Sequence, residues 1–326
     1  MKLIFLRIKK RLPFAGIVLL LCFLLKYPAE ALDASRDGLK LWMNTLIPTL
    51  LPFIILTGFL VHTDGIEKIL KPFSGLFRIL LGLSPNGAYV CFLGLLCGYP
   101  MGAKLAADLY QYGKISRREA EYLLTFCNNP SPAFLTTYLA QICLEGRVST
   151  AKLLGIMILS DVLCMLFFRF TVYRNHTVSS TNLIAKPLTA TGRSDSKKET
   201  PSVSSAGAII DASIMNGFET IARLGGYILL FSILSACISH FWCFSQTVKY
   251  LVLGIMEITT GLHQLAASAF SYPLKFLCSM TMTAFGGLCI MAQTKSVLEG
   301  KLSLRPYASA KCLNAAVTAI IILVIS

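Results

Sequence analysis

The chain has 326 residues, of which 55% are hydrophobic and only 14% charged, against about 25% charged in an average soluble domain. Its apolar residues gather in runs of about 17 to 22, the length that crosses the hydrocarbon core of a bilayer. These figures exclude a soluble enzyme, a disordered chain and a small disulfide scaffold. They also turn the net charge of +14 into a sign of basic loops held on the cytoplasmic side, not of a nucleic-acid surface.

The 11 cysteines form no C-x-x-C pair, and Cys22, Cys97, Cys164, Cys237 and Cys289 sit inside apolar runs. They read as small membrane-buried residues, not as bridges or ligands. His62, His176, His240 and His263 are scattered, and there is no glycine-rich phosphate loop. No metal, cofactor or resident ATP motor is expected. The chain carries no H-E-x-x-H, no G-x-S-x-G and no other enzyme signature.

Lys2, Arg7, Lys9, Lys10 and Arg11 precede an apolar stretch from Leu12 to Leu25. This reads as an uncleaved first helix with its N-terminus inside, although Ala29-Glu30-Ala31 resembles a cleavage site. Residues 1–29 form this N-terminal helix. A second span runs from Leu46 to Val61 and contains Pro48 and Pro52. Asp64 to Leu83, with Lys68, Lys71 and Arg78, reads as an amphipathic interfacial helix.

Ala88 to Tyr112 is broken at its centre by Gly98-Tyr99-Pro100-Met101-Gly102. Basic residues lie on both flanks, at Lys68–Arg78 and at Lys114, Arg117 and Arg118. If both flanks are cytoplasmic, the segment enters and returns as a re-entrant hairpin. Glu121 to Leu144 breaks at Asn128-Asn129-Pro130-Ser131-Pro132, and a half-helix should begin near Ser131. Ala151 to Phe170 is a full span with Asp161 near its middle. Residues 30–173 make up a first repeat, and residues 174–205 a flexible cytoplasmic linker.

After the linker come an amphipathic segment (Ile209–Glu219) and a span from Ile221 to Phe241. Then follow a broken stretch from Leu251 to Phe270, a span from Phe276 to Gln293 containing Gly286-Gly287, and a last span from Ala308 to Val324. Residues 206–326 form the second repeat. Gly94-Leu95-Leu96 and Leu105-Ala106-Ala107 match Gly254-Ile255-Met256 and Leu265-Ala266-Ala267 at one offset. Leu144-Glu145-Gly146-Arg147-Val148-Ser149 matches Leu298-Glu299-Gly300-Lys301-Leu302-Ser303. Followed through the membrane, the two repeats run in opposite senses. Lys295, Lys301 and Arg305 then fall inside, while Arg147 and Lys152 fall outside, against the charge rule. The fold class is an all-α polytopic membrane protein. It consists of an N-terminal helix and two inverted repeats, each with a broken or re-entrant hairpin and interfacial helices. Transporters recur in this form, with substrate sites near the midplane where half-helix ends face inward.

Charges inside apolar runs are the first candidates for function. Glu257 and Asp161 are candidate sites for a coupling proton or monovalent cation. Glu257 alternatively caps a half-helix, and Asp161 is alternatively satisfied by Ser160 and its neighbours. Gly98, Tyr99, Pro100, Gly102, Asn128, Asn129 and Ser131 form candidate substrate-binding breaks. Thr259, Thr260, Gly261, Gly286 and Gly287 are their counterparts after the linker. Lys104 either meets an anionic group or pairs with Asp108 one turn on. Trp42 and Trp242 read as interface anchors.

Gly98-Tyr99-Pro100-Met101-Gly102-Ala103-Lys104, Asn128-Asn129-Pro130-Ser131-Pro132 and Gly286-Gly287 resemble the YlbJ-type sporulation integral membrane proteins, of the nucleoside-recognition Gate group. The likeness covers roughly residues 30 to 326. It implies a membrane protein of spore-forming bacteria, in the outer forespore membrane, that moves dipicolinate from the mother cell towards the forespore. Lys104, Tyr99 and two half-helix N-termini suit such an aromatic dicarboxylate. The expected partners are a small anionic metabolite and the lipid bilayer, with no nucleic acid; a homo-oligomer is compatible with the chain. A nucleoside-like substrate, or a non-transporting role in spore-envelope assembly, are the competing readings.

Overall fold

A computed structural model describes residues 16–62, 74–174 and 206–325. The basic start, the first part of the 64–83 helix and nearly all of the expected linker lie outside the described residues. Among the described residues all regular structure is helical. Four helical stretches among the described residues are long and apolar enough to cross a membrane: Thr150–Thr171, Gly207–His240, Tyr272–Leu298, which is interrupted at Gly286, and Arg305–Ile325. The chain is an integral membrane protein.

Helix α1 spans Gly16–Lys26. Helix α2 (Pro28–Leu41) opens with proline in its first turn and ends with Lys40 in its last. It passes through a wide, π-type turn (Trp42–Leu46) into α3 (Ile47–His62). Pro48 and Pro52 each lack a donor, and the wide turn lies where that ladder weakens. Helix α10 (Ala206–His240) lies antiparallel to this bent pair. The two segments expected at 209–219 and 221–241 are one helix of 35 residues. Thr220, at their junction, keeps its hydroxyl on the Asn216 carbonyl at 2.8 Å and does not break the ladder. Such a helix is about 52 Å long and overshoots a hydrocarbon core of about 30 Å, so one rod includes both a span and polar ends.

Small residues set the closeness of the pair. A Cβ on Gly38 would lie 2.8 Å from Ser232 Oγ, and one on Gly58 would lie 2.9 Å from Ser213 Oγ. Trp42 fits over Gly225 and donates from Nε1 to the Ile221 carbonyl at 2.8 Å. It locks two helices together.

Between α3 and the linker lie α4 (Ser74–Leu81), α5 (Pro85–Cys97), α6 (Met101–Gln111), α7 (Arg117–Leu123), a π-type helix α8 (Phe134–Cys143) and α9 (Thr150–Thr171). After α10 come α11 (Gln246–Met256), α12 (Ile258–Ala266), α13 (Tyr272–Phe285), α14 (Gly287–Leu298) and α15 (Arg305–Ile325). A closed hairpin occurs in each set. Gly94 meets Gly102 between α5 and α6, and Gly254 meets Gly261 between α11 and α12. The two matching L-E-G segments make the same left-handed turn, with φ of 54° and 68° at Glu145-Gly146 and 48° and 72° at Glu299-Gly300.

Candidate functional site

Gly98 ends α5 with φ of 81°, a conformation that favours glycine. A Cβ there would lie 2.6 Å from Ser131 N, so the break after α5 touches the break before α8. Tyr99 N donates to the Asn129 carbonyl at 2.8 Å, and Ala103 N donates to Asn128 Oδ1 at 3.3 Å. The Cys127 carbonyl fills the space left by the absent side chains of Gly94 and Gly102. Ser131 caps the new helix by accepting from Phe134 N at 3.2 Å, as its position in the sequence requires. Gly98, Tyr99, Gly102, Asn128, Asn129 and Ser131 are therefore one interlocked unit, with Pro100 at its corner.

A residue absent from the expected set faces this unit. Lys311, on α15, is 3% exposed. Its Nζ donates to Asn129 Oδ1 and lies 5.9 Å from the centre of the Tyr99 ring and 5.6 Å from that of Tyr307. Asp161, on α9, accepts from Asn314 Nδ2 at 2.6 Å, and the Lys311 charge acts on it. Ser160 donates to Asn314 Oδ1 and accepts from Thr318 Oγ1 at 2.9 Å. Asn128 Nδ2 reaches Thr294 Oγ1, on α14, at 3.1 Å. Asp161 is thus joined to the first pair of breaks. Lys311 lies inside the expected span Ala308–Val324, and the rule that singled out Asp161 and Glu257 applies equally to it. Thr294, Tyr307 and Asn314 gave no such signal, because only packing brings them to the breaks.

The second pair of breaks is built differently. Glu257 is 4% exposed and stands before α12 in extended conformation. Its carboxylate accepts from Thr259 N at 3.1 Å, Thr260 N at 2.7 Å, Thr259 Oγ1 at 2.6 Å and Thr260 Oγ1 at 2.8 Å. This is a filled N-cap, in which the carboxylate occupies the first free amides of α12. A Cβ on Gly261 would lie 2.1 Å from Gly254 Cα. Gly286 and Gly287 both have positive φ, and Gly287 rests on the Gly254 and Ile255 carbonyls. Tyr138 connects the pairs by donating to the Thr259 carbonyl at 2.9 Å.

Lys104 is not among the residues brought together. Its Nζ lies 3.0 Å from Asp108 and 3.1 Å from Asn216 Oδ1 on α10, with the residue 6% exposed. It ties α6 to α10. Elsewhere, a groove of about 470 Å³ lies between α2, α10 and α12. Glu30, Asp33 and Asp37 line one side, Ser232, Ser235 and Ser239 the other, and Thr260 the floor. Among the described residues no group of three or more His, Cys, Asp or Glu is placed to hold a metal.

Residues 43–144, which include the first pair of breaks, match the family model Gate, described as nucleoside recognition. Across 344 aligned residues the chain is 25% identical to the sporulation integral membrane protein YlbJ of Bacillus subtilis strain 168. The chain is similar to a sporulation membrane protein. The alignment covers 92% of this chain and 79% of that relative, so the likeness is not confined to the motifs. No solved structure matches the chain.

Proposed function

We propose that the protein is a transporter, secondary or facilitative, for a small organic anion. One observation carries the reading: Lys311 is a buried ammonium with three donors, of which only one has an acceptor in hydrogen-bond range among the described residues, Asn129 Oδ1. Its counter-charge, Asp161, is held by Asn314, one turn along α15 from Lys311. A purely structural lysine would use its donors, as Lys104 does. The free donors of Lys311, with the interlocked breaks and the N-terminus of α8 beside them, suit a carboxylate.

Tyr99 and Tyr307 flank the ammonium and supply aromatic faces for a planar substrate. Together with the resemblance to sporulation membrane proteins, this favours dipicolinate, carried from the mother cell towards the forespore across the outer forespore membrane. The recurring order of elements on the two sides of the linker, read as inverted repeats, provides two halves that rock about the breaks. With the N-terminus cytoplasmic, the α5–α6 hairpin opens inward and the α11–α12 hairpin outward.

The test is uptake of labelled dipicolinate by purified protein in liposomes. Saturable uptake that Lys311→Met abolishes supports the reading, and folded protein that moves nothing under any ion gradient refutes it. The Gate match, described as nucleoside recognition, favours a second reading with a nucleoside-like substrate. Competition by uridine or adenosine in the same assay distinguishes the two.

A further inference from the structure

The site holds one buried positive charge and one buried negative charge. They belong to helices that hold corresponding places in the two halves, α9 and α15. Lys311 donates to Asn129 Oδ1, Asp161 accepts from Asn314 one turn along α15 from Lys311, and the two charges act on each other across this site. Empty, the pair is neutral. A substrate carboxylate docking on Lys311 while Asp161 stays ionised would leave a net negative charge at membrane depth, which is strongly disfavoured. For the carboxylate that docks on Lys311, a protonated Asp161 keeps the local balance at one ammonium, one carboxylate and one neutral acid. The second carboxylate of a dicarboxylate such as dipicolinate lies outside this pair, at the N-terminus of α8, whose backbone dipole favours it.

We propose that Asp161 is the proton site of an anion–proton symporter, in which each anion that binds Lys311 enters with one proton on Asp161. The inference rests on the transport reading above. In the step, a proton from water binds an Asp161 carboxylate oxygen, Lys311 keeps its three protons, and the substrate carboxylate takes up the attraction that Asp161 gives up. Release on the other side reverses each part, so nothing is oxidised and no covalent bond to carbon changes.

The surroundings suit this division of roles. The groups that face the pair are Cys91 from α5, Cys127 at the second break, Cys164 on α9, and the rings of Tyr99 and Tyr307. Thiols and phenols are ordinarily neutral below about pH 8. Glu257 is the other nearby carboxylate, and its oxygens are already filled by Thr259 and Thr260. Asp161 accepts from Asn314 Nδ2, and once protonated on one oxygen it keeps its carbonyl oxygen as that acceptor, so Asn314 need not turn.

The experiment counts protons taken up when dipicolinate binds the full-length protein in detergent, by calorimetry in buffers of different ionisation enthalpy between pH 6 and 8. About one proton per anion is expected, with affinity falling about tenfold per pH unit above the Asp161 midpoint. Asp161→Asn, which mimics the neutral acid, should bind with no proton uptake and a flat pH profile. Binding by the wild type without proton uptake, or an unchanged count in Asp161→Asn, overturns the symport inference alone. No binding of any carboxylate overturns the transport reading together with it. The wild-type count needs no variant, so a folding defect in Asp161→Asn does not remove the test.

Discussion

Ser160 on α9 touches Asn314 on α15, donating its hydroxyl to the Asn314 side-chain oxygen. In the proposed repeat the two residues hold the same place. Ser160 follows Ser149 by as many residues as Asn314 follows Ser303, and those serines close the matching L-E-G segments. A residue meets its own counterpart only at the axis of a two-fold arrangement. The two-fold proposed for the repeats therefore passes beside Asp161 and Lys311, where a transporter of this design would hold its cargo.

The charge balance predicts a pattern in stability. Lys311→Met leaves Asp161 without its counter-charge and should cost about 3–5 kcal/mol. Lys311→Met combined with Asp161→Asn removes both charges and should recover most of that loss. Thermal unfolding in detergent measures both. A double variant no more stable than the single one would show that the two groups do not depend on each other.

Glu257 is expected to behave as a cap. Glu257→Gln keeps one acceptor oxygen for the Thr260 amide and the two hydroxyls, loses the acceptor of the Thr259 amide, and should retain fold and uptake with a modest stability loss. Glu257→Ala leaves those amides unpaired and should cost about 1–3 kcal/mol. Measured unfolding together with uptake separates this from an ion-coupling role, in which Glu257→Gln would stay folded and lose gradient-driven transport.

The hairpin glycines make a steric prediction. Gly261→Ala drives a methyl onto the Gly254 backbone, and Gly102→Ala drives one onto the Cys127 carbonyl at 2.1 Å. Neither neighbour is a flexible side-chain end, so each should cost about 1–3 kcal/mol or more. Gly155→Ala and Gly226→Ala meet nothing within 4 Å and should be neutral or slightly stabilising. Yields of folded protein across the four variants check the contrast.

Glu299 supplies an acid-sensitive tie between α10 and the turn before α15. Its carboxylate is held below its ordinary value of 4.5 by the hydrogen bond and charge of Lys301, and then by Arg223 at 3.0 Å. With a depressed folded value, its contribution is present above about pH 4.5 and lost as pH falls through that folded value. Because the pair is half-exposed, the effect should stay below about 1 kcal/mol. Melting curves from pH 3 to 7 should show an acid limb that Glu299→Gln flattens.

Much of this arrangement was legible in the residues. Glycine, proline and asparagine announced the breaks at Gly98–Gly102 and Asn128–Ser131, because those residue types carry their backbone preferences wherever they stand. The L-E-G repeats announced the matching turns for the same reason. Lys104 was half legible: its pairing with Asp108 one turn on was one of its two readings, whereas its bond to Asn216 comes from α10, more than a hundred residues away. Lys311 was readable as a charge within an apolar run, but its partners were not. Asn129 and Asp161 reach it from other helices, and only packing brings them together. The long α10 was split at a polarity change that a 35-residue helix simply carries past the membrane surface.

The most direct test of the account is dipicolinate uptake into proteoliposomes by the wild type and by Lys311→Met, both verified as folded. The account predicts saturable uptake by the wild type and none above empty liposomes for the variant. Equal uptake by the two proteins, or none by the wild type under any proton or cation gradient, would contradict it.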